Sequence, residues 1–191
     1  MQQGGQKFWN VPNALTLLRL LLIPVYWVLM MSGHDEVWAL VVFVAASLTD
    51  LLDGYIARTY NQVTDWGKLF DPLADKLMVI SVMLSLVIKG AVPVVILVIL
   101  LLKEVLMIIG GALMLHYKVV VYAKSIGKVA QFVVVVGLIL CFFRARFAAP
   151  IHLYVLWVGI GLTLIALVFY AFNCLAAIRR QRTPNYPNQE V

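Results

Sequence analysis

Residues 50–75, DLLDGYIARTYNQVTDWGKLFDPLAD, hold five of the chain's nine acidic side chains. Asp50, Asp53, Gly54, Ala57 and Arg58 fall at i, i+3, i+4, i+7 and i+8, which is one face of a helix. Gly67, Asp71 and Asp75 follow at i, i+4 and i+8 on a second helical stripe. An amphipathic helix would carry leucine or valine at such positions. Carboxylates converging from two helices instead make a hard-oxygen site of the kind that Mg²⁺ and similar ions take. The small residues on the same face leave room for a flat or bulky ligand beside the ion. Asp50, Asp53, Asp71 and Asp75 are therefore candidate metal ligands, and Arg58 offers a planar donor fork for phosphate.

These acids sit in an unusual setting. The chain is 63% hydrophobic and 13% charged, with a mean hydropathy of +0.96. Soluble domains run about 45–50% apolar and about 25% charged, so an all-α integral membrane protein is expected. A carboxylate beside hydrocarbon is costly unless paired, metal-bound or wetted, which makes clustered membrane acids functional candidates. The net charge of +6 suits anionic headgroups or a phosphorylated substrate. It does not suggest nucleic acid, because no soluble basic domain is visible. Cys141 and Cys174 lack metal-ligand spacing and indicate no disulfide. His34, His116 and His152 lie near helix ends and read as interfacial residues.

Six transmembrane helices must position the acids, since a span takes about 20 apolar residues. They are expected over 13–32, 37–59, 68–88, 93–116, 129–143 and 151–173, with 60–66 as the loop inside the acidic stretch. Residues 1–12 read as a short interfacial segment with Trp9 at headgroup level and no signal peptide. A single membrane domain over 1–182 and a disordered tail over 183–191 complete the organisation. Pro24 is expected to kink the first span. Asn13, Thr16 and Arg19 share a face there, and Arg19 either snorkels to the interface or joins a polar edge turned toward the acids. Glu36 to Asp50 is about 21 Å of helix rise, which places the acids near the far membrane face rather than the bilayer centre.

In the fourth span, Lys103 and Glu104 are adjacent. Neighbours on a helix diverge, so each is expected to find its own partner on another helix or in a wet cavity. Gly110-Gly111 would allow close packing nearby, and 117–128 reads as a basic connection. Six spans put both termini on one side. That side holds Lys7, Arg58, Lys68, Lys118, Lys124, Lys128, Arg179, Arg180 and Arg182, against Lys89, Arg144 and Arg146 opposite. The positive-inside rule assigns the termini and the acids to the cytoplasmic face of the cell (inner) membrane.

The pattern Asp50-x2-Asp53-Gly54-x2-Ala57-Arg58-x8-Gly67-x3-Asp71-x3-Asp75 resembles, at all eight fixed positions, the signature of the CDP-alcohol phosphatidyltransferases. The resemblance implies a membrane enzyme, usually a homodimer, that moves a phosphatidyl group from CDP-diacylglycerol to an alcohol and releases CMP. It implies Mg²⁺ or Mn²⁺ as cofactor, with Asp50, Asp53 and Asp71 as metal ligands. Asp75 would be the catalytic base, touching a second ion as well. Gly54, Ala57 and Arg58 would line the CDP-diacylglycerol pocket with Thr64 and Gly67 closing it. Asn13 and Thr16 look like the family's N-terminal contacts to the same ligand.

Within the family, NVPNALTLLRLLLIP, DPLADK and Ser125-Ile126-Gly127-Lys128 are most similar to the phosphatidylglycerophosphate synthases, whose acceptor is sn-glycerol 3-phosphate. Lys103, Lys124 and Lys128 are then the candidate acceptor-phosphate contacts. Two departures keep a cardiolipin synthase, with phosphatidylglycerol as acceptor, open as the alternative. Lys103-Glu104 stands where the subgroup has Arg-Glu with a further arginine beyond it, and Lys-Thr-x2-Gln after Gly-Lys is not reproduced. A cation channel or transporter would also use membrane acids. It would leave the glycine, alanine and arginine of the acidic face unexplained.

Overall fold

The computed structural model describes residues 11–33, 36–59, 65–117 and 125–182; for 11–12, 50–59, 65–69, 115–116, 125 and 179–182 it describes the helical backbone only. Six helices carry it: α1 (Val11–Met31), α2 (Glu36–Thr59), α3 (Asp65–Ile88), α4 (Val94–His116), α5 (Ser125–Phe142) and α6 (Ile151–Arg182). A 3-10 turn, Arg144–Arg146, precedes α6, and no strand occurs among the described residues. This is an all-α membrane protein. Asn13–Met31, Val94–Met114 and Ile151–Ile178 are long and apolar enough to cross a bilayer by length and composition. Glu36–Thr49 and Ile126–Phe142 are shorter apolar helices among the described residues.

Three boundaries differ by three residues or more from those read in the sequence. The third helix starts at Asp65, so the acidic loop shrinks to 60–64. The fifth starts at Ser125, which moves Lys128 from a connection onto a helical first turn. The sixth runs nine residues further, to Arg182. Apolar counting stops where hydrocarbon stops, but Leu175-Ala-Ala-Ile-Arg-Arg-Gln-Arg are strong helix formers whose basic end also suits the helix dipole. Pro24 lies inside a helix that is continuous from Val11 to Met31. Residues 1–10 of the expected interfacial segment (1–12) and the expected C-terminal tail, 183–191, lie outside the described residues, while Val11 and Pro12 already belong to α1.

The chain divides into two compact units: Met1–Val92 with Cys141–Arg146, and Pro93–Leu140 with Phe147–Val191. In the first, α1, α2 and α3 pack on one another. Its core is read off helical spacing: Ala39, Phe43 and Ala46 on α2, and Ala74, Met78, Val82, Ser85 and Leu86 on α3, are all buried. Two polar bonds set the register of α1 on α3. Thr16 Oγ1 donates to Asp71 Oδ1, and the buried Tyr26 and Ser85 hydroxyls lie 2.6 Å apart. Both pairs advance together, so the two helices run parallel.

The end of α3 is closed by a left-handed residue. Gly90 has φ 70°, its N–H donates to Val87 O at 2.9 Å, and Ala91 N–H donates to Leu86 O at 2.8 Å. Ala91 and Leu86 are both buried, which supplies the apolar contact of this cap. The cap brings Lys89 to Glu36 at 3.1 Å, while Arg144 reaches the same carboxylate at 2.9 Å. Thus two of the three cations counted on the outer side share one acid.

The Arg144 hydrogen bond, opposed by partial burial and helped by Lys89, holds the Glu36 carboxyl below its usual range. A depressed carboxyl stabilises the fold above its unfolded pKa of about 4.3, and that contribution is lost as pH falls through the folded value beneath it. Glu36→Gln should therefore lower the thermal midpoint at pH 7, while the wild type falls toward the variant on acidification to about pH 3. Parallel midpoints for the two proteins across that range would show that the cluster contributes nothing.

In the second unit α4 packs on α6, and α5 meets α6 through two glycines. A Cβ on Gly159 would sit 3.1 Å from the Val134 backbone nitrogen, and one on Gly137 would sit 3.2 Å from that of Leu156. Backbone cannot rotate away, so these positions hold the helices close. The packing expected at Gly110-Gly111 is also present, since a Cβ on Gly110 would lie 2.8 Å from Tyr170 Cε1.

Candidate functional site

Asp71 lies on the side of α3 that continues into the buried stripe, with Ala74 and Met78 at i+3 and i+7. It is half-buried, and so is Asp75 one turn on. The opposing face of α1 supplies Thr16, which is 3% exposed and donates its hydroxyl to Asp71 Oδ1. Arg19, one turn further, is 1% exposed. Of its two expected placements, snorkelling to the interface is thereby excluded. The polar edge read on the first span is an internal edge, and through Thr16 it faces the acids.

The Thr16 bond has a chemical consequence. A carboxylate has two oxygens and about four lone-pair sites. Fixing one oxygen restricts side-chain rotation while leaving the second to a cation. Asp71 and Asp75 stand at i and i+4 on α3, and the chain returns to α2 at Thr59 after only residues 60–64. Asp50, Asp53, Gly54, Ala57 and Arg58 are on the helical backbone of α2, and Gly67 is on that of α3. Their side chains, and Thr64 altogether, lie outside what is described. Among the described residues no group of three metal-ligating side chains occurs. The donor chemistry nevertheless fits a hard divalent ion: two partly exposed carboxylates in one stripe, one of them held, among the described residues, by a neutral hydroxyl. Asn13, half-buried, is one turn before Thr16.

The second unit has a cavity of about 90 Å³ among α4, α5 and α6. Lys103 lines it from α4, Gly127 and Gln131 from α5, and Thr163, Tyr170 and Asn173 from α6. Lys103 Nζ pairs with Glu104, its neighbour in sequence, and the two side chains are 15% and 13% exposed. The expectation of separate partners is corrected here: four methylenes let the lysine head fold back to a carboxylate its Cβ does not face. The expectation of a cavity is met for Lys103. Lys128 is exposed, one residue from Gly127 on the same first turn, and Lys124 lies outside the described residues. Tyr170 donates to Met114 Sδ at 3.6 Å, which closes the α4 and α6 contact beside the cavity.

Gln131, Thr163 and Asn173 were not singled out in the sequence. A signal for two of them exists: Thr163, Ala166, Leu167, Tyr170 and Asn173 recur at i, i+3, i+4, i+7 and i+10, a polar-flecked stripe on an otherwise apolar span.

Comparison with known proteins bears on the acidic stretch first. Residues 9–168 match the family model described as CDP-alcohol phosphatidyltransferase. A Rickettsia typhi protein named CDP-diacylglycerol–glycerol-3-phosphate 3-phosphatidyltransferase is 49% identical over 82 residues, which cover 42% of this chain and 46% of that protein. A Bacillus subtilis protein of the same name is 39% identical over 93 residues, covering 41% of this chain and 48% of its own. The chain thus spans about half the length of the curated relatives it matches.

Proposed function

Because the chain belongs to the CDP-alcohol phosphatidyltransferase family, whose model covers most of it, we propose that it transfers a phosphatidyl group from CDP-diacylglycerol to sn-glycerol 3-phosphate. The products are CMP and phosphatidylglycerophosphate. The observation that carries the reading is the half-buried Asp71, held by Thr16 from a neighbouring helix on a stripe that also presents Asp75. A membrane helix has no structural reason to place two such acids there. The names of the relatives at up to 49% identity support glycerol 3-phosphate as acceptor.

In this reading Asp50, Asp53 and Asp71 would hold a divalent ion, Mg²⁺ or Mn²⁺, and Asp75 would face the acceptor and be available to a second ion. Such an ion, when bound, would neutralise the charge that grows on the pyrophosphate oxygens as CMP departs. The acceptor oxygen bonds to the phosphorus that carries diacylglycerol, and the bond from that phosphorus to the CMP oxygen breaks. The acceptor proton passes to Asp75 and on to water, because an alcohol is a poor nucleophile at neutral pH without a base in reach. Thr16 keeps Asp71 oriented while ligands exchange. Asn13, Gly54, Ala57, Arg58, Thr64 and Gly67 form the CDP-diacylglycerol site, with the Arg58 fork on phosphate. Lys103, Lys124 and Lys128 receive the acceptor's phosphate. The enzyme works as a homodimer in the inner membrane with these groups toward the cytoplasm, where lipid donor and soluble acceptor meet.

Lysine in place of the subgroup's arginine at Lys103 favours one second reading, with phosphatidylglycerol as acceptor and cardiolipin as product. A panel separates the two: CDP-diacylglycerol with glycerol 3-phosphate, phosphatidylglycerol, serine or inositol phosphate, with products identified by mass spectrometry. CMP release with glycerol 3-phosphate and a phosphatidylglycerophosphate product are expected. Turnover with phosphatidylglycerol alone would replace this reading with the second. A further expectation concerns Lys128. Its replacement by alanine should raise the KM for glycerol 3-phosphate roughly 10-fold, the worth of one charge-assisted hydrogen bond, and leave that for CDP-diacylglycerol little changed. Equal shifts in both would move Lys128 out of the acceptor site.

A further inference from the structure

An arginine is always charged, and its guanidinium has five donors and no acceptor. Taking such a group out of water is costly unless an anion meets it. Arg19 is 1% exposed, and the proposed reaction gives it no part. Its surroundings lie within the first unit, where α1 packs on both α2 and α3. A side chain that grips a substrate phosphate stands open to the space the phosphate enters. Arg19 is instead covered by protein, which suits an internal charge better than a ligand contact.

Position indicates which anions it meets. Side chains on a helix lean toward its N-terminus, so a long one at Arg19 lies over the turn that carries Thr16. Thr16 is bonded to Asp71, and Asp75 is one turn on. The acids of this unit outside the acidic stretch are Asp35 and Glu36, neighbours in sequence. Glu36 is held by Lys89 and Arg144. Lys89 follows the far end of α3, since from Asp71 to Ile88 is about 26 Å of helix rise. With α1 and α3 parallel, Arg19 stands at the Asp71 end and Glu36 at the other. The acidic stretch is what remains to balance the guanidinium.

We infer that Arg19 is the resident counter-charge of the acidic stretch, a positioning residue that offsets repulsion among its carboxylates and sets how strongly they hold a divalent ion. The inference rests on the proposed metal site and adds what tunes it. Carboxylates gathered for a metal repel one another before the ion arrives, and a fixed cation beside them lowers that cost. The same cation repels the incoming ion. Arg19 therefore stabilises the empty site and weakens the filled one, two effects that a residue serving only to fill space does not have.

The experiment reads ion binding rather than turnover, on the purified protein in detergent without lipid substrate. Free Mn²⁺ is followed by its electron paramagnetic resonance signal as it is titrated into wild type, Arg19→Met and Arg19→Lys. Methionine keeps the length and loses the charge, whereas lysine keeps the charge. Arg19→Met should bind Mn²⁺ roughly 10-fold more tightly than wild type, the effect of removing one nearby charge, and Arg19→Lys should stay within roughly threefold. The thermal midpoint of Arg19→Met should lie below that of wild type in EDTA. The gap should narrow in saturating Mn²⁺, because an ion held more tightly adds more to the folded state. Unchanged or weaker Mn²⁺ binding in Arg19→Met overturns the inference, and a raised KM for CDP-diacylglycerol beside it would make Arg19 a ligand contact instead. Where Arg19→Met does not fold, Arg19→Gln carries the same comparison. Failure of both to fold, in Mn²⁺ as in EDTA, would also overturn it and leave Arg19 a helix-packing residue. Absence of Mn²⁺ binding by wild type would instead overturn the metal site itself.

Discussion

Asp75→Asn is expected to lower CMP release by roughly 10²–10⁴-fold, the range that a positioned general base contributes. Asparagine keeps the size of the side chain but has no lone pair basic enough to take the acceptor's proton, and it contributes no charge toward an ion. Asp71→Asn should fall at least as far for a different reason. The amide can still accept from Thr16, so the contact between α1 and α3 survives, while the negative charge that would bind a cation is gone. Both variants should elute as wild type does from a sizing column and unfold at a similar temperature. The core of this unit is made by Phe43, Met78, Val82, Met83 and Leu86 rather than by the acids. Turnover within tenfold of wild type in either variant would remove that residue from the reaction. The pairing matters: loss of turnover with loss of folding would say only that the acids hold helices together.

Chelation should have an effect of similar size. EDTA treatment is expected to abolish CMP release, and Mg²⁺ or Mn²⁺ in excess to restore it, because hard carboxylate oxygens select such ions and because the departing pyrophosphate oxygens need neutralising. A second readout keeps this from being an indirect effect on the lipid. Mn²⁺ should raise the thermal midpoint of the wild-type protein, since an ion that binds only the folded state stabilises it. It should do so much less in Asp71→Asn. Turnover that persists in EDTA, or an equal Mn²⁺ shift in the variant, would show that no ion is held at Asp71.

A good deal of this was legible before any coordinates. The apolar runs and their turns located all six helices, and the spacing of Asp50, Asp53, Asp71 and Asp75 pointed to a candidate site, of which Asp71 and Asp75 are seen half-buried one turn apart on α3. The errors share a cause. Apolar counting reads where the membrane ends, whereas helices end where backbone hydrogen bonds are capped. Hence α5 begins four residues early, at Ser125, and α6 continues to Arg182. Lys103 and Glu104 were read by the directions of their Cβ atoms, but a long flexible side chain does not keep its Cβ direction.

What residue order determined by itself was chemistry: which oxygens are available, which stripe they share, and the hydrophobic lengths that make a membrane their surrounding. Partnership was decided only by tertiary packing. Thr16 and Asp71 are 55 positions apart, as Arg144 and Glu36 are 108 apart, and no local periodicity relates them. Nor could spacing show that Gln131, Thr163 and Asn173 enclose one space. A helix presents a polar residue to whatever lies opposite, and what lies opposite depends on crossing angles and on glycines such as Gly159 that let backbones approach.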